Sequence, residues 1–359
     1  MGYDKVLNRR PPEIVRKLGE RSKICLLNSH DIFKVLRNKN VIVMACNIRI
    51  KHVVPGIMKA ADELDAVVAF EIAKSEGDVD GGYTGQTPEI FFETIINYAE
   101  ERRFYKPFFI HGDHIKIKDS TYESINSAKR LIAAELKAGY TSFAIDASFN
   151  LLEDNIKITT ELARPIVEKG LGLEVEVGEI KSAGQEGNIT TVNEALTFIS
   201  SLVNNGINPD LLAINNGSKH GNYLDNEEIN IDLNRTKEIY DAISSYGVSI
   251  AQHGITGTPL NIVGKFADYG IRKGNVGTLW QNIAHKGLPE DLVDRMKKWA
   301  INNNKDIKFA TKEFKEEIDS IGSLYRDRIE NMAYEEAKNF IKAFRSVGIA
   351  SFVIEELSK

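Results

Sequence analysis

The sequence is poor in cysteine. Cys25 and Cys46 are the only two among 359 residues, which argues against a disulfide framework. No apolar run approaches the length that spans a bilayer, and the N-terminal stretch MGYDKVLNRRPPEIVRKLGE lacks the apolar core of a secretion signal. Net charge is also low. Lys and Arg number 46 against 51 Asp and Glu, and the balance of -5 gives no electrostatic footing for nucleic acid or an anionic membrane. Low-complexity tracts and repeats are absent from the sequence as well. These absences lead to the expectation of a cytoplasmic globular protein, and 42% hydrophobic residues are enough for a large core.

What is present is a regular alternation. Eight short apolar runs, VIVMACN (41–47), AVVAFEIA (66–73), FFIHGD (108–113), SFAIDAS (142–148), GLEVEVGE (172–179), LLAINN (211–216), SIAQHG (249–254) and IRKGNVG (271–277), are mostly separated by helix-like segments such as PEIFFETIINYAEERR and YESINSAKRLIAAELKAG. Single strands alternating with helices call for parallel βαβ units. Eight of them favour a closed (β/α)8 barrel of the TIM type over an open sheet. The expected organisation is one domain: a helical lead-in over 1–40 covering the barrel bottom, the barrel over 41–285, and charged C-terminal helices over 286–359. The charge of that last segment reads as a solvated helix face rather than a binding surface.

Polar residues gather where the apolar runs stop. Run three ends in His111, Asp113 and His114, and run four carries Asp146 and Ser148. Run five carries Glu174 and Glu176. Run six leads to NNGSKHGN with His220, run seven ends QHGITG with His253, and run eight carries Lys273 and Asn275. In a barrel all these ends meet at the C-terminal face. Each histidine alone reads as an ordinary hydrogen-bonded residue. Three of them at different strand ends, each beside glycine or aspartate, suit a catalytic divalent metal, with zinc the first candidate. Iron, cobalt and nickel also accept imidazole. Gly254 and Gly257 in HGITG let backbone N–H groups approach an anion beside Thr256.

These motifs, in this order, resemble the class II (metal-dependent) fructose-bisphosphate and ketose-bisphosphate aldolases. The resemblance rests on HGDH, IDAS, EVEVG, KHGN and HGITG, and runs from HDIFKVLRNKNVIVMACN to the end of run eight. It implies that His114, His220 and His253 hold the catalytic metal, and that Asp113 handles the aldehyde oxygen. Glu176 with Asp146 would mark a second metal or monovalent-cation position, and Glu186 in EIKSAGQEGN would be the loop base. Asn47, Gly221, Gly254, Thr256, Gly257, Asn275 and Thr278 would contact substrate or its phosphate. His111 shares a strand face with Asp113 and reads as a supporting or core residue. The implied reaction is reversible aldol cleavage of a ketose (bis)phosphate, such as fructose 1,6-bisphosphate, to dihydroxyacetone phosphate and an aldehyde, in a homo-oligomer of two or more chains.

Three departures bear on substrate. Asn275 is followed by Val276, Gly277 and Thr278 instead of an N-x-D-T pattern, and the loop holding Glu186 is longer than the usual form. Glu71 falls near a position where a small hydroxyl residue is usual, and is expected to repel a second phosphate, or instead to accept hydrogen bonds from sugar hydroxyls or pair with a cation such as Lys74. Two other readings use much of the same residue set: a metal-dependent ketose or hexuronate epimerase, and a non-catalytic accessory subunit. A metallohydrolase barrel is disfavoured, because run one ends MACN without an H-x-H pair.

Overall fold

Residues 3–180, 187–219, 221 and 229–359 are described by the computed structural model. Eight parallel strands close into a barrel in sequence order, β1 (Val43–Asn47), β2 (Val68–Ala73), β3 (Phe108–Lys116), β4 (Ser142–Asp146), β5 (Gly172–Val177), β6 (Leu211–Ile214), β7 (Ser249–Gln252) and β8 (Ile271–Val276). The strands are buried on both faces, so they read as near-continuous apolar runs. β1 pairs with β8 through Val43↔Lys273 and Ala45↔Asn275, which shuts the barrel. The fold is a (β/α)8 TIM barrel with helices at both ends of the chain.

The helices are α1 (Pro12–Leu18), α2 (Ser29–Leu36), α3 (Val54–Glu63), α4 (Pro88–Glu101), α5 (Tyr122–Ala138), α6 (Leu152–Val167), α7 (Val192–Asn204), α8 (Leu233–Ile243), the single turn α9 (Leu260–Val263), α10 (Thr278–Gly287), α11 (Glu290–Asn302), α12 (Lys315–Asp319), α13 (Ser323–Ala343) and α14 (Ile349–Leu357). Their starts follow local chemistry. Thr87, Thr121 and Thr191 each cap a helix with a hydroxyl that accepts a backbone N–H, and Glu194 returns the bond at α7. α5 stops at Gly139, whose φ of 106° suits a residue without Cβ. Among the described residues, no helix is long and apolar enough to cross a membrane.

Alternation along the strands separates two cores. Met44, Cys46, Val68 and Phe70 face the helix layer. Val43, Ala45, Ala69, Phe109, Leu211 and Ala251 face inward, and join Leu27, Ile32 and Phe33 of the lead-in and Val353 and Leu357 of α14. Burying each large side chain contributes about 1.5–3 kcal/mol. The lead-in is not helical throughout. At Cys25–Leu27 it runs alongside Phe108, with Leu27 N–H donating to Phe108 C=O and Phe108 N–H to Cys25 C=O. α13 buries Ile329, Ala333, Ala337 and Ile341. It packs so closely on α3 that a Cβ on Gly56 would lie 2.2 Å from Glu330 O.

Above the apolar bottom the barrel interior turns polar. Glu71, His111, Glu174 and Lys273 fill its middle, each at most 2% exposed. Lys273 Nζ lies 3.1 Å from Glu71 Oε2, and donates to Glu174 Oε2 at 2.9 Å and Asn275 Oδ1 at 2.9 Å. The expectation for Glu71 is therefore corrected. It sits below the barrel mouth with Oε2 3.1 Å from Lys273 Nζ, burial raising its carboxyl well above the ordinary glutamate range against the pull of that ammonium, and Lys74 turns instead to the carbonyl of Lys116 at 3.3 Å.

Candidate active site

β3 carries the first part of the site, and its backbone is irregular there. Against β4, Gly112 lies opposite Phe143 and Ile115 opposite Ile145, so β3 holds one extra residue between them. That bulge puts His114 at φ 40°, a conformation that costs a non-glycine residue about 1–3 kcal/mol. In a regular strand Asp113 and His114 would face opposite sides. The bulge brings both to the C-terminal mouth.

Ligand atoms of Asp113, His114 and His253 lie within 4.8 Å of one another, and so do those of His114, Asp146 and Glu176. His114 Nδ1 is 3.0 Å from Glu176 Oε2 and 3.3 Å from Asp146 Oδ2. His253 Nε2 meets Glu174 Oε1 at 2.7 Å. A carboxylate on one ring nitrogen fixes the tautomer and orientation of a metal-binding imidazole. Asp113 is held by two amides: Asn47 Nδ2 donates to Oδ2 at 2.9 Å and Asn275 Nδ2 to Oδ1 at 3.1 Å.

The electrostatics match this geometry. Burial alone would push Asp113 up, yet His114, Lys273 and His253 hold it well below the usual carboxylate range. Burial opposes a charge on His114, but Asp113 and Glu176 raise it well above an ordinary histidine. Burial and the neighbouring Asp146 push Glu176 up. Burial and Lys273 depress His111 to about 3, so it is a neutral ring, hydrogen-bonded to Ser142 Oγ at 2.7 Å. Asp113, Asp146 and Glu176 crowd His114 and His253 here. This oxygen and nitrogen donor set fits a divalent cation.

The centre opens into a cavity of about 180 Å³. Asn47, Asp113, His114, Gly221, His253, Gly254, Thr256, Asn275 and Thr278 all line it, so most of the expected residues converge. Asp146 and Glu176 sit behind His114. Gly257, at φ 91°, is exposed on its turn and stands off the cavity wall. His220, expected as a metal ligand, and Glu186, expected as the loop base, lie outside the described residues. A Cβ on Gly254 would come within 2.5 Å of Lys219 O, so the chain after β6 passes directly beside the His253 loop.

Sequence reasoning missed Arg49, Ser75, Glu76, Tyr83 and Lys308, which also line the cavity. Four of these come from the loops after β1 and β2, where single charged or polar residues carry no motif. Lys308 comes from the C-terminal segment, so the reading of that segment as merely solvated is corrected at this residue. Its turn is held by Lys312 N–H on Tyr83 C=O at 3.1 Å and by the tilted rings of Tyr83 and Phe309, with centroids 5.2 Å apart.

The model of the fructose-bisphosphate aldolase class-II family matches residues 27–348. A fructose-bisphosphate aldolase of Ureaplasma parvum is 28% identical over 270 residues, covering 75% of this chain and 84% of its own. One from Giardia intestinalis is 26% identical over 320 residues, covering 86% and 89%. Among solved structures, the YdjI aldolase of Escherichia coli K12 superposes with a TM-score of 0.64 at 21% identity, covering 90% of this chain and 99% of that one.

Proposed function

The chain belongs to the class II fructose-bisphosphate aldolase family, and on that premise we propose that it cleaves a ketose phosphate reversibly, with a divalent metal, to dihydroxyacetone phosphate and an aldehyde. The observation that carries this reading is the convergence of Asp113, His114 and His253 within 4.8 Å, with Asp146 and Glu176 behind them. His114 and His253 would hold the cation together with His220, and Glu176 with Asp146 would offer the second position. Zinc is the preferred ion for an imidazole-rich set. The ion supplies Lewis acidity, polarising a carbonyl and offsetting the charge that develops when the carbon–carbon bond breaks.

The chain's own groups do the rest. Asp113, ionised and oriented by Asn47 and Asn275, accepts the proton of the hydroxyl that becomes the aldehyde, and returns it during condensation. Glu174 and Lys273 hold the His253 ring in place from below. Thr256, Gly254 and Thr278 surround the cavity end suited to a phosphate, beside the N-terminus of α10. Glu186 is assigned the proton on the donor carbon. The same reading takes the chain as one domain that associates into a homo-oligomer.

The test is to strip metal with EDTA, restore single divalent ions, and offer ketose 1,6-bisphosphates, ketose 1-phosphates and unphosphorylated ketoses while following products by mass and NMR. Dihydroxyacetone phosphate that appears only with metal supports the reading. An isomer without fragments replaces it with an epimerase.

A further inference from the structure

Arg49 stands two residues beyond β1 and lines the cavity. Its Nε donates to Glu76 Oε1 at 2.7 Å, its Nη2 lies 2.7 Å from the same oxygen, and its Nη1 donates to Gln281 Oε1 at 2.7 Å. Glu76 is itself fixed by the Ala73 N–H at 3.0 Å and by Asn47 Nδ2 at 3.3 Å. The guanidinium is thus clamped between the β2 loop and α10 before any ligand arrives. A guanidinium carries five N–H groups. Two of them donate to Glu76 and Gln281, and Nη2 also sits in ion-pair contact with Glu76, which leaves N–H groups on Nη1 and Nη2 for a ligand.

The backbone beside it is cut back to receive it. A Cβ on Gly277 would sit 3.3 Å from Arg49 Nη2 and 3.0 Å from Asn47 Oδ1. Glycine at 277 therefore keeps the path between the guanidinium and the start of α10 open. Gly277 and Thr278 line the cavity together with Thr256, whose hydroxyl accepts the Leu279 N–H at 3.3 Å. Lys308 adds a second cation to the same lining. A planar donor pair beside a helix N-terminus matches the oxygens of a phosphate monoester.

We propose that Arg49 is a substrate-binding residue that selects ketoses carrying a phosphate, its outer N–H groups donating to phosphate oxygens seated against Gly277 and Thr278. This rests on the aldolase reading for the identity of the ketose. Glu76 and Gln281 act on it as positioning residues.

The experiment uses the full-length, metal-loaded protein with Arg49→Gln and Arg49→Lys. Titration calorimetry measures inorganic phosphate, dihydroxyacetone phosphate, unphosphorylated dihydroxyacetone and a ketohexuronate, and kinetics separate KM from kcat. Losing charge-assisted hydrogen bonds weakens phosphate and dihydroxyacetone phosphate binding in Arg49→Gln by about tenfold or more. Metal content and dihydroxyacetone binding stay unchanged, KM rises more than kcat falls, and Arg49→Lys recovers part of the loss. Phosphate affinity equal to the parent's overturns the proposal. So does a variant that loses metal, or that weakens dihydroxyacetone as much as its phosphate, because Arg49 would then only prop Glu76. Loss of the ketohexuronate with phosphate binding kept overturns the choice of anion. Phosphate binding needs no turnover, so a protein that binds it through Arg49 yet cleaves no ketose removes the aldolase reading and leaves this assignment standing.

Discussion

Glu174 holds His253 and Lys273 with its two oxygens, at 2.7 and 2.9 Å, inside the barrel. Burial works against its charge, but Lys273 and His253 keep it ionised far below the ordinary glutamate range. In Glu174→Gln the ring loses its anionic partner. Metal affinity is expected to fall about 10–100-fold, the usual effect of removing a group that orients a ligand. Competition with a chelator reads this directly, and an affinity equal to the parent's would show that Glu174 supports only the fold.

Asp113→Asn keeps the size of the side chain and one oxygen for the amides of Asn47 and Asn275, but it cannot take a proton. Turnover is expected to fall about 10²–10⁴-fold, with metal content retained. Elemental analysis beside a rate assay checks it. Metal lost along with activity would make Asp113 a ligand, a role its place beside His114 and His253 also allows geometrically.

Lys273→Met leaves Glu71 and Glu174 facing each other without their shared cation. Breaking a buried pair from one side costs about 3–5 kcal/mol, read as a lower denaturant midpoint. Adding Glu71→Gln removes one of the two carboxyls left without that partner and recovers part of that loss, a coupling a thermodynamic cycle measures. Equal midpoints for the single and double variants would contradict the pairing.

His285, on α10, is held by burial at a pKa of about 4 against 6.5 for a free ring, although Asp306 pulls the other way. Its folded value is depressed, so the unfolded chain binds the proton first as pH falls. The stability that a neutral His285 contributes is complete above pH 6.5 and is lost as pH drops towards 4. Denaturation of His285→Gln from pH 4 to 7 is expected to give a shallower decline than the parent. Parallel curves would refute the depressed value.

All eight strands were legible because a parallel barrel buries both faces of each strand, and the resulting runs are dense in Val, Ile, Phe and Ala. The convergence of Asp113, Asp146, Glu176, His253 and Asn275 was legible because a barrel sends every strand end to one face. Asp113 and His114 sharing that face was expected from the HGDH resemblance and not from periodicity, since alternation sets neighbours apart and the bulge that reunites them leaves no composition signal. Glu71 was misplaced for a related reason. A residue's depth along a stave depends on strand register, which a single sequence does not show. Arg49, Glu76 and Lys308 were missed because they reach one cavity from three remote segments, none of which carries a motif.

The charged layer across the middle of the barrel also separates two kinds of anchorage. His253 is secured from beneath by Glu174 and Lys273, whereas Arg49, Glu76, Tyr83 and Lys308 reach the cavity from loops and from the C-terminal segment, Arg49 braced by Glu76 and by Gln281 of α10. The floor of the site is thus braced by the barrel itself, and the wall by loops and helices, with Asn47 the hinge between them because one amide serves both Glu76 and Asp113.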